Sequence, residues 1–429
     1  MRKLGFLITY FFIRFFTIAF AFLPYKLIHQ IGKFLGNIAY YLMPKYRKRA
    51  LSNLSLATEL KLSNKQIKKY AKESFQNLAT VVLEYPRFHR EKDFESVISC
   101  DNPDKAYTLH KNSQGIIFFC GHQANWEVLF LHGNLFMKGI AIGKPIKNPY
   151  LYRWIISIRE KTGGRMINPK NALKEGLRNL RKGNFIGIVG DQGKPDSPYC
   201  FSSFGRRGWT SSAPALLAYR TNCPIIIATT KREKGKYIIH HSDPIWPNLN
   251  KPLEEESKRL MDETLTYFEK SIAKHPGQYL WQHNRYKQQT PHLVLKKYRL
   301  DSIAIILPHE KDKFLHIQKH LPALKKIYPN NFLFLFVPKK YSSFDLIQAD
   351  EIHFYANLKD ILVEDFRFKL VFDFFENETL KKHFLNLSAF DVLKIKDLQK
   401  RAFKNNSNVD SNDLSSVFSS ALCRTKNME

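Results

Sequence analysis

Apolar positions along this chain fall into three patterns, and each predicts a different kind of element. Residues 5–24 (GFLITYFFIRFFTIAFAFLP) are almost wholly apolar, with Arg14 the one charge inside the run. About 20 such residues span a bilayer core, so this stretch predicts a membrane-anchor helix. Residues 25–43 (YKLIHQIGKFLGNIAYYLM) are amphipathic enough to lie on the same surface. Helical spacing follows over 61–84, where Ile67, Ala71, Leu78 and Val82 recur, and again at Leu173, Leu177 and Leu180. A further helix after Pro252 has Met261, Leu265, Phe268 and Ile272 on one face and is stopped by Pro276-Gly277.

From residue 115 the pattern becomes one of short apolar runs between helical ones. GIIFFC (115–120), NFIGIVG (184–190), PIIIATT (224–230), YIIHH (237–241) and QYLWQH (278–283) predict strands. Strands alternating with helices imply an α/β layered domain. The alternation restarts near residue 300, with SIAIILP (302–308), NFLFLFVP (331–338), EIHFYA (351–356) and KLVFDFF (369–375) as buried strands. The expected fold class is therefore α/β: an anchor and amphipathic segment over 1–45, a central α/β domain over 46–292, a smaller Rossmann-like α/β domain over 300–403 and a polar, flexible tail over 404–429. The alternation of the smaller domain resembles half of a nucleotide-sugar-type glycosyltransferase, but no phosphate-binding Gly-rich loop accompanies it.

Composition narrows the partners. The 429 residues include 68 Lys and Arg against 38 Asp and Glu, a formal charge of +30. Such a surface favours polyanions: nucleic acid, an anionic membrane or an acidic carrier protein. No zinc finger, aromatic RNP-like motif or basic-region heptad is found, so nucleic acid is not expected. A mean hydropathy of −0.35 excludes a polytopic membrane protein. Five scattered cysteines without CxxC spacing argue against a disulfide framework or a structural zinc site and for a reducing compartment.

Three readings of the N-terminus compete. A retained anchor fits its length and its flank, where Lys26, Lys33, Lys45, Arg47, Lys48 and Arg49 outnumber Arg2 and Lys3; the positive-inside tendency then leaves the rest of the chain in the cytoplasm. A cleaved signal peptide is suggested by Ala19-Phe20-Ala21, though bulky Phe22 and Leu23 follow directly. Arg14 favours a helix lying in the interface.

Of the chemistry-bearing motifs, G-x-G-x-x-G, H-E-x-x-H, G-x-S-x-G and the nucleotide-binding P-loop are absent; the nearest stretch to the last, GIVGDQGK (187–194), runs into Pro195. FFCGHQANWEVL (118–129) stands out instead. A buried strand ends at Cys120, Gly121 permits a sharp turn, and His122 falls at the strand's C-terminal edge, where α/β sheets carry their sites. His122 and Glu127 are about 140° apart on an ideal helix. They meet only if His122 lies in the turn and Glu127 in the first helical turn. Glu127 would then hold one imidazole nitrogen and leave the other as a base. By spacing alone such a pair is more often structural than catalytic. Cys120, ending a buried strand, reads as core rather than as a nucleophile.

GHQANWE resembles the H-x-x-x-x-D/E motif of glycerolipid-type acyltransferases, and the chain to about residue 290 is similar to one branch of them, the lipid A late acyltransferases. KRALSNLSLA (48–57), IREKTGGRMIN (158–168), GNFIGIVGDQ (183–192) and PGQYLWQHNRYK (276–287) resemble further family stretches in the right order. The resemblance implies an acyltransferase domain within 46–292 that moves a fatty acyl chain from acyl carrier protein to a hydroxyl of a phosphorylated, Kdo-bearing lipid A precursor. It implies His122 as general base with Glu127 orienting it, Arg159 on a substrate phosphate or the oxyanion, and Asp191 positioning a basic group or the acceptor hydroxyl. No cofactor or metal is implied. The expected location is the inner membrane, single-pass, with the catalytic domain on the cytoplasmic face. Two alternatives stay open: another lipid acceptor, such as a lysophospholipid or a phosphoinositide mannoside, and a basic membrane-associated binding protein without catalysis. Because all five stretches precede residue 298, truncation there is expected to spare transfer.

Overall fold

A computed structural model describes residues 2–289 and 293–424. The expected domain edge at 292 and the last part of the expected tail, 425–429, lie outside the described residues. In chain order the helices are α1 (Arg2–Thr17), α2 (Tyr25–Leu42), α3 (Pro44–Leu56), α4 (Asn64–Arg90), α5 (Asp104–Lys111), α6 (Glu127–Phe136), α7 (Pro149–Arg159), α8 (Ala172–Leu180), α9 (Ala213–Thr221), α10 (Leu253–Lys274), α11 (Lys311–Ile327), α12 (Glu378–Asn386), α13 (Ile395–Asn405) and α14 (Leu414–Leu422). The chain forms two compact units. One takes Met1–Met43, Lys69–Phe204 and Thr210–Arg285; the other takes Pro44–Lys68, Gly205–Trp209 and Tyr286–Glu429.

The first unit contains β1 (Ile98–Cys100), β2 (Ile116–Cys120), β3 (Gly139–Ile142), β4 (Arg165–Ile167), β5 (Phe185–Val189), the short β6 (Cys200–Ser203), β8 (Ile225–Glu233) and β9 (Lys236–His241); β7 (Arg206–Trp209) falls in the second unit. Its sheet runs in the order β1-β9-β8-β2-β5-β3-β4. β2 sits at the centre, parallel to β5 and β8, and β9 turns back antiparallel on β8. A strand covered on both faces needs no polar alternation, and all five residues of β2 are buried. Phe118 faces α6, clustering with Phe130 and Phe185. Phe119 faces the other way, its ring 5.9 Å from Phe268 of α10.

QYLWQH (278–283) is not a strand. A 3-10 turn over Pro276–Gln278 leads into an extended segment with a single bridge, Gln123 to Tyr279. Its alternating pattern arises because Tyr279 and Trp281 are both buried, and its backbone bonds the loop after β2 rather than a neighbouring strand.

Lys3–Ala21, with mean hydropathy 1.9, is long and apolar enough to cross a membrane by length and composition. Leu4, Ile8, Phe11, Phe12, Phe15 and Phe16 are exposed. One side of α1 rests on α7: Asn148 Nδ2 donates to the Phe6 carbonyl at 2.8 Å, and the Arg14 guanidinium lies 4.5 Å from the Trp154 ring. Arg14 thus has an aromatic face against which to bury its charge.

The second unit holds a parallel sheet of β10 (Ser302–Ile306), β11 (Phe332–Pro338), β12 (Glu351–Tyr355), β13 (Leu370–Asp373) and β14 (Asp391–Leu393), in the order β12-β11-β10-β13-β14. This is a doubly wound arrangement. Alternate residues feed opposite faces: Ile303, Ile305, Leu333 and Leu335 pack with α11, α13 and α14, whereas Ala304, Ile306, Phe334 and Phe336 pack with α12. Two features differ from the sequence expectation. The end of the chain is not all tail: Leu414, Val417, Phe418, Ala421 and Leu422 form a helical stripe buried in the core. The stripe is only nine residues long and follows a polar linker, so composition hides it. In addition, Pro44–Lys68, which the expected boundary at 45/46 divides between the anchor segment and the central domain, groups with this unit. Leu56 joins the Ala304 face, Ser52 Oγ donates to the Arg367 carbonyl at 2.9 Å, and Lys48 Nζ donates to the Ala389 carbonyl at 2.8 Å. Lys369, 1% exposed, pairs with equally buried Asp301 at 2.6 Å and donates to Asn53 Oδ1 at 2.9 Å.

Candidate active site

His122 lies just past the C-terminal end of β2, in the turn before α6. The turn depends on two residues for different reasons. Gly121 has no room for a side chain: a Cβ there would strike the Phe268 ring and come within 2.9 Å of the Asp191 carboxyl carbon. The left-handed backbone is taken by Ala124 (φ 45°), not by the glycine. That strained residue is held by its N–H bond to the Gln278 carbonyl at 2.7 Å. The neighbouring Leu280 N–H donates to the His122 carbonyl at 3.0 Å. The closing PGQYLWQHNRYK stretch thus clamps the turn from outside.

His122 and Glu127 do not bond each other. The imidazole Nδ1 donates to Asp191 Oδ1 at 2.7 Å, and the His122 backbone N–H donates to Asp191 Oδ2 at 3.0 Å. Tyr279 hydroxyl also donates to Oδ2, at 2.9 Å, and is itself held by Arg285, which pairs with Glu269. Asp191 follows β5, the parallel neighbour of β2, so both residues emerge at the same sheet edge. Nδ1 carries the proton and Nε2 is left as the acceptor, with the Gln192 amide Nε2 at 3.2 Å and the Trp126 ring 4.6 Å away. Glu127 opens α6 and is turned instead to Arg159 at the end of α7. The guanidinium grips it in bidentate fashion, Nε to Oε2 at 2.7 Å and Nη2 to Oε1 at 2.5 Å, and Tyr85 hydroxyl donates at 2.7 Å. A planar guanidinium outcompetes an imidazole for a carboxylate already in its plane.

The four residues singled out by sequence therefore come together as two pairs, His122–Asp191 and Glu127–Arg159. Tyr279, His283, Arg285 and Gln192 were missed as site residues. Their stretches were visible, but nothing in the spacing says which side chains turn inward. The ligand atoms of His122, Asp191 and His283 lie within 4.8 Å of one another, so these three would hold a cation if one bound here, in competition with the His122–Asp191 bond.

Burial pushes the carboxyls of Asp191 and Glu127 up, but their partners win. His122 and His283 hold Asp191 far below the ordinary carboxylate range, and Arg159 with Tyr85 holds Glu127 below it. Buried Glu84 is likewise lowered, by Arg232 and His29. A carboxyl depressed in the folded state contributes stability above its unfolded value, near pH 4, and loses it as pH falls through the folded value. The thermal midpoint is therefore expected to hold from pH 7 to about 5 and to drop steeply below about 4. Asp191→Asn should make that acid drop shallower; an unchanged profile would contradict the assignment. Burial, reinforced by the Asp191 and Glu127 charges, pushes the Cys120 thiol up, against a thiolate.

Beside these pairs opens a cavity of about 590 Å³. Its floor is one face of the sheet, sampled every second residue: Phe118 and Cys120 on β2, Phe185, Gly187 and Val189 on β5, Ile239 and His241 on β9. Its roof is α6. Gly187 pairs with Phe118 and Ala141, and its missing side chain leaves space between the strands. Arg159 also lines the cavity, and among the described residues its Nη1 has no hydrogen-bond partner. An imidazole acceptor on the wall of a largely apolar cavity, with a guanidinium nitrogen on the same wall, suits transfer of a long apolar group to a hydroxyl.

The profile of the bacterial lipid A biosynthesis acyltransferases matches residues 1–288. The lipid A biosynthesis lauroyltransferase of Escherichia coli (strain K12) is 22% identical over 274 residues, covering 62% of this chain and 87% of that protein. With two-thirds of its length inside that profile, the chain belongs to the bacterial lipid A biosynthesis acyltransferase family and is an acyltransferase of lipid A synthesis.

Proposed function

We propose that the protein transfers a fatty acyl chain from acyl carrier protein to a hydroxyl of a phosphorylated, Kdo-bearing lipid A precursor, with His122 as general base and Asp191 as its orienting partner. The observation that carries this reading is the His122–Asp191 hydrogen bond through Nδ1, which leaves Nε2 as the acceptor on the cavity wall. Nε2 takes the proton of the acceptor hydroxyl as its oxygen attacks the thioester carbonyl. The tetrahedral oxyanion collapses, the carbon–sulfur bond breaks, and the carrier thiolate leaves with the proton returned by the imidazolium. No acyl-enzyme forms. Arg159, held in place by Glu127, faces the oxyanion or a substrate phosphate through Nη1. The charge of +30 steers in an acidic carrier and an anionic lipid surface. The test is mass spectrometry of lipid A from cells with and without the gene, paired with transfer from labelled acyl carrier protein in vitro. An unchanged lipid A together with no transfer would end this reading.

The same reading puts the protein at the inner membrane, with α1 as anchor and the basic cluster KYRKR (45–49), apart from the protein-bonded Lys48, on headgroups. Deleting residues 1–24 is expected to release much of the protein from membranes. High salt should then release more, because screening weakens lysine and arginine contacts. Full retention of the truncated protein at high salt would show that another apolar surface holds it.

A further inference from the structure

Besides His122, Glu127 and Arg159, the cavity lining includes two further histidines, on its β8–β9 side. His132 lies on α6, five residues past Glu127 and so about 7.5 Å further along the helix axis. His241 ends β9 opposite Ala228, two strands from β2, about 10 Å across the sheet. Both line the cavity, and they are only 6% and 9% exposed.

A neutral imidazole has one donor and one acceptor, and burying them unbonded is unfavourable. Among the described residues His132 makes no hydrogen bond through its ring; its ring neighbour is Phe136, at 5.1 Å. His241 Nδ1 has only the Cys100 sulfur, at 3.9 Å, and its other ring nitrogen has no hydrogen-bond partner. Its ring lies against Phe118, 5.1 Å between centroids. Burial lowers both, His241 to about 4 with the charge of His132 contributing, so both are neutral near pH 7. A cavity made only for hydrocarbon would be filled by leucine or phenylalanine at these two places. Two neutral imidazoles in its wall present an N–H and a bare nitrogen to whatever fills it.

We propose that His132 and His241 form an oxygen-recognition point in the acyl pocket, so that the preferred donor carries a hydroxylated fatty acyl chain. This rests on the acyl-transfer reading above. The chain hydroxyl donates to the bare nitrogen of one ring and accepts from the N–H of the other. Because the pair is offset from β2 across the sheet, the hydroxyl lies several carbons beyond the thioester carbonyl.

The test uses the full-length protein in detergent with one acceptor, a phosphorylated Kdo-bearing lipid A precursor. Acyl carrier protein donors are matched in length from twelve to sixteen carbons, each plain, 3-hydroxylated, hydroxylated mid-chain or hydroxylated at the end. The wild type is expected to transfer a mid-chain or terminal hydroxylated donor with a kcat/KM about tenfold above its plain counterpart. His132→Leu and His241→Leu should abolish or invert that preference while still transferring plain chains. The proposal is overturned if the wild type uses plain or 3-hydroxylated chains as well as or better than every other donor, or if folded variants keep its preference. The wild-type comparison decides even if a variant fails to fold. Absence of transfer from all donors, plain ones included, would instead overturn the acyl-transfer reading and this proposal with it.

Discussion

His122→Ala is expected to lower turnover by about 10²–10⁴-fold, the usual worth of a positioned general base, and Asp191→Asn is expected to cost nearly as much. An asparagine amide turned to donate to Nδ1 would force the imidazole proton onto Nε2, the nitrogen that must accept. It would also give up the charge that stabilises the imidazolium during attack. Glu127→Gln should act differently. It loosens Arg159, not the base, so its loss should be shared with Arg159→Lys, and the double variant should be little worse than either single one. Steady-state kinetics on folded variants check all of these. Wild-type turnover in His122→Ala would sink the mechanism. A near-normal Asp191→Asn beside a Glu127→Gln as damaged as His122→Ala would return the orienting role to Glu127.

Truncation after residue 298 is expected to give an aggregating, poorly active protein, the reverse of what the order of the motifs suggests. KRALSNLSLA (48–57) lies inside the region that matches the family, yet in this chain its partners lie beyond it. Removing them takes Lys369 from Asn53, the Arg367 carbonyl from Ser52 and a whole apolar face from Leu56. Fully exposing a buried leucine costs about 1.5–3 kcal/mol, and stranded polar groups at Ser52 and Asn53 add about 1–3 kcal/mol each. Set against a typical domain stability of about 5–15 kcal/mol, this is enough to unfold the segment. The measurement compares soluble yield, thermal transition and specific activity of residues 1–298 with the full chain. A cooperative transition and full activity in the truncated form would show that α3 does not need the second unit. Lys369→Met tests the same interface within the intact chain. It should destabilise by about 3–5 kcal/mol, because Asp301 is left as a buried charge without its partner.

Local pattern carried most of the elements. Continuous apolar runs at 116–120, 185–189 and 302–306 are strands because parallel sheets bury both faces. The helices over Ala172–Leu180 and Leu253–Lys274 follow from their apolar spacing. Short edge strands such as Ile98–Cys100 and Arg165–Ile167 escaped, since three residues show no period. QYLWQH misled because alternation reports burial on one side, and here that side is the layer behind the His122 turn.

For the candidate site, sequence pointed to four of the residues that the fold brings together, and missed Tyr279, His283, Arg285 and Gln192. His122 falls at the end of one expected strand and Asp191 at the end of another, because each follows a continuous apolar run that reads as a buried strand. Pairing was beyond it. Whether Glu127 or Asp191 reaches the imidazole depends on which strand lies beside β2 and on what stands at the end of α7, both set by contacts distant in the chain. The same holds for α3, whose place in the second unit rests on bonds to residues more than 300 positions away. Periodicity along a chain records the burial of each element separately. Partner choice between elements is a property of the packed whole, and only the tertiary structure decided it.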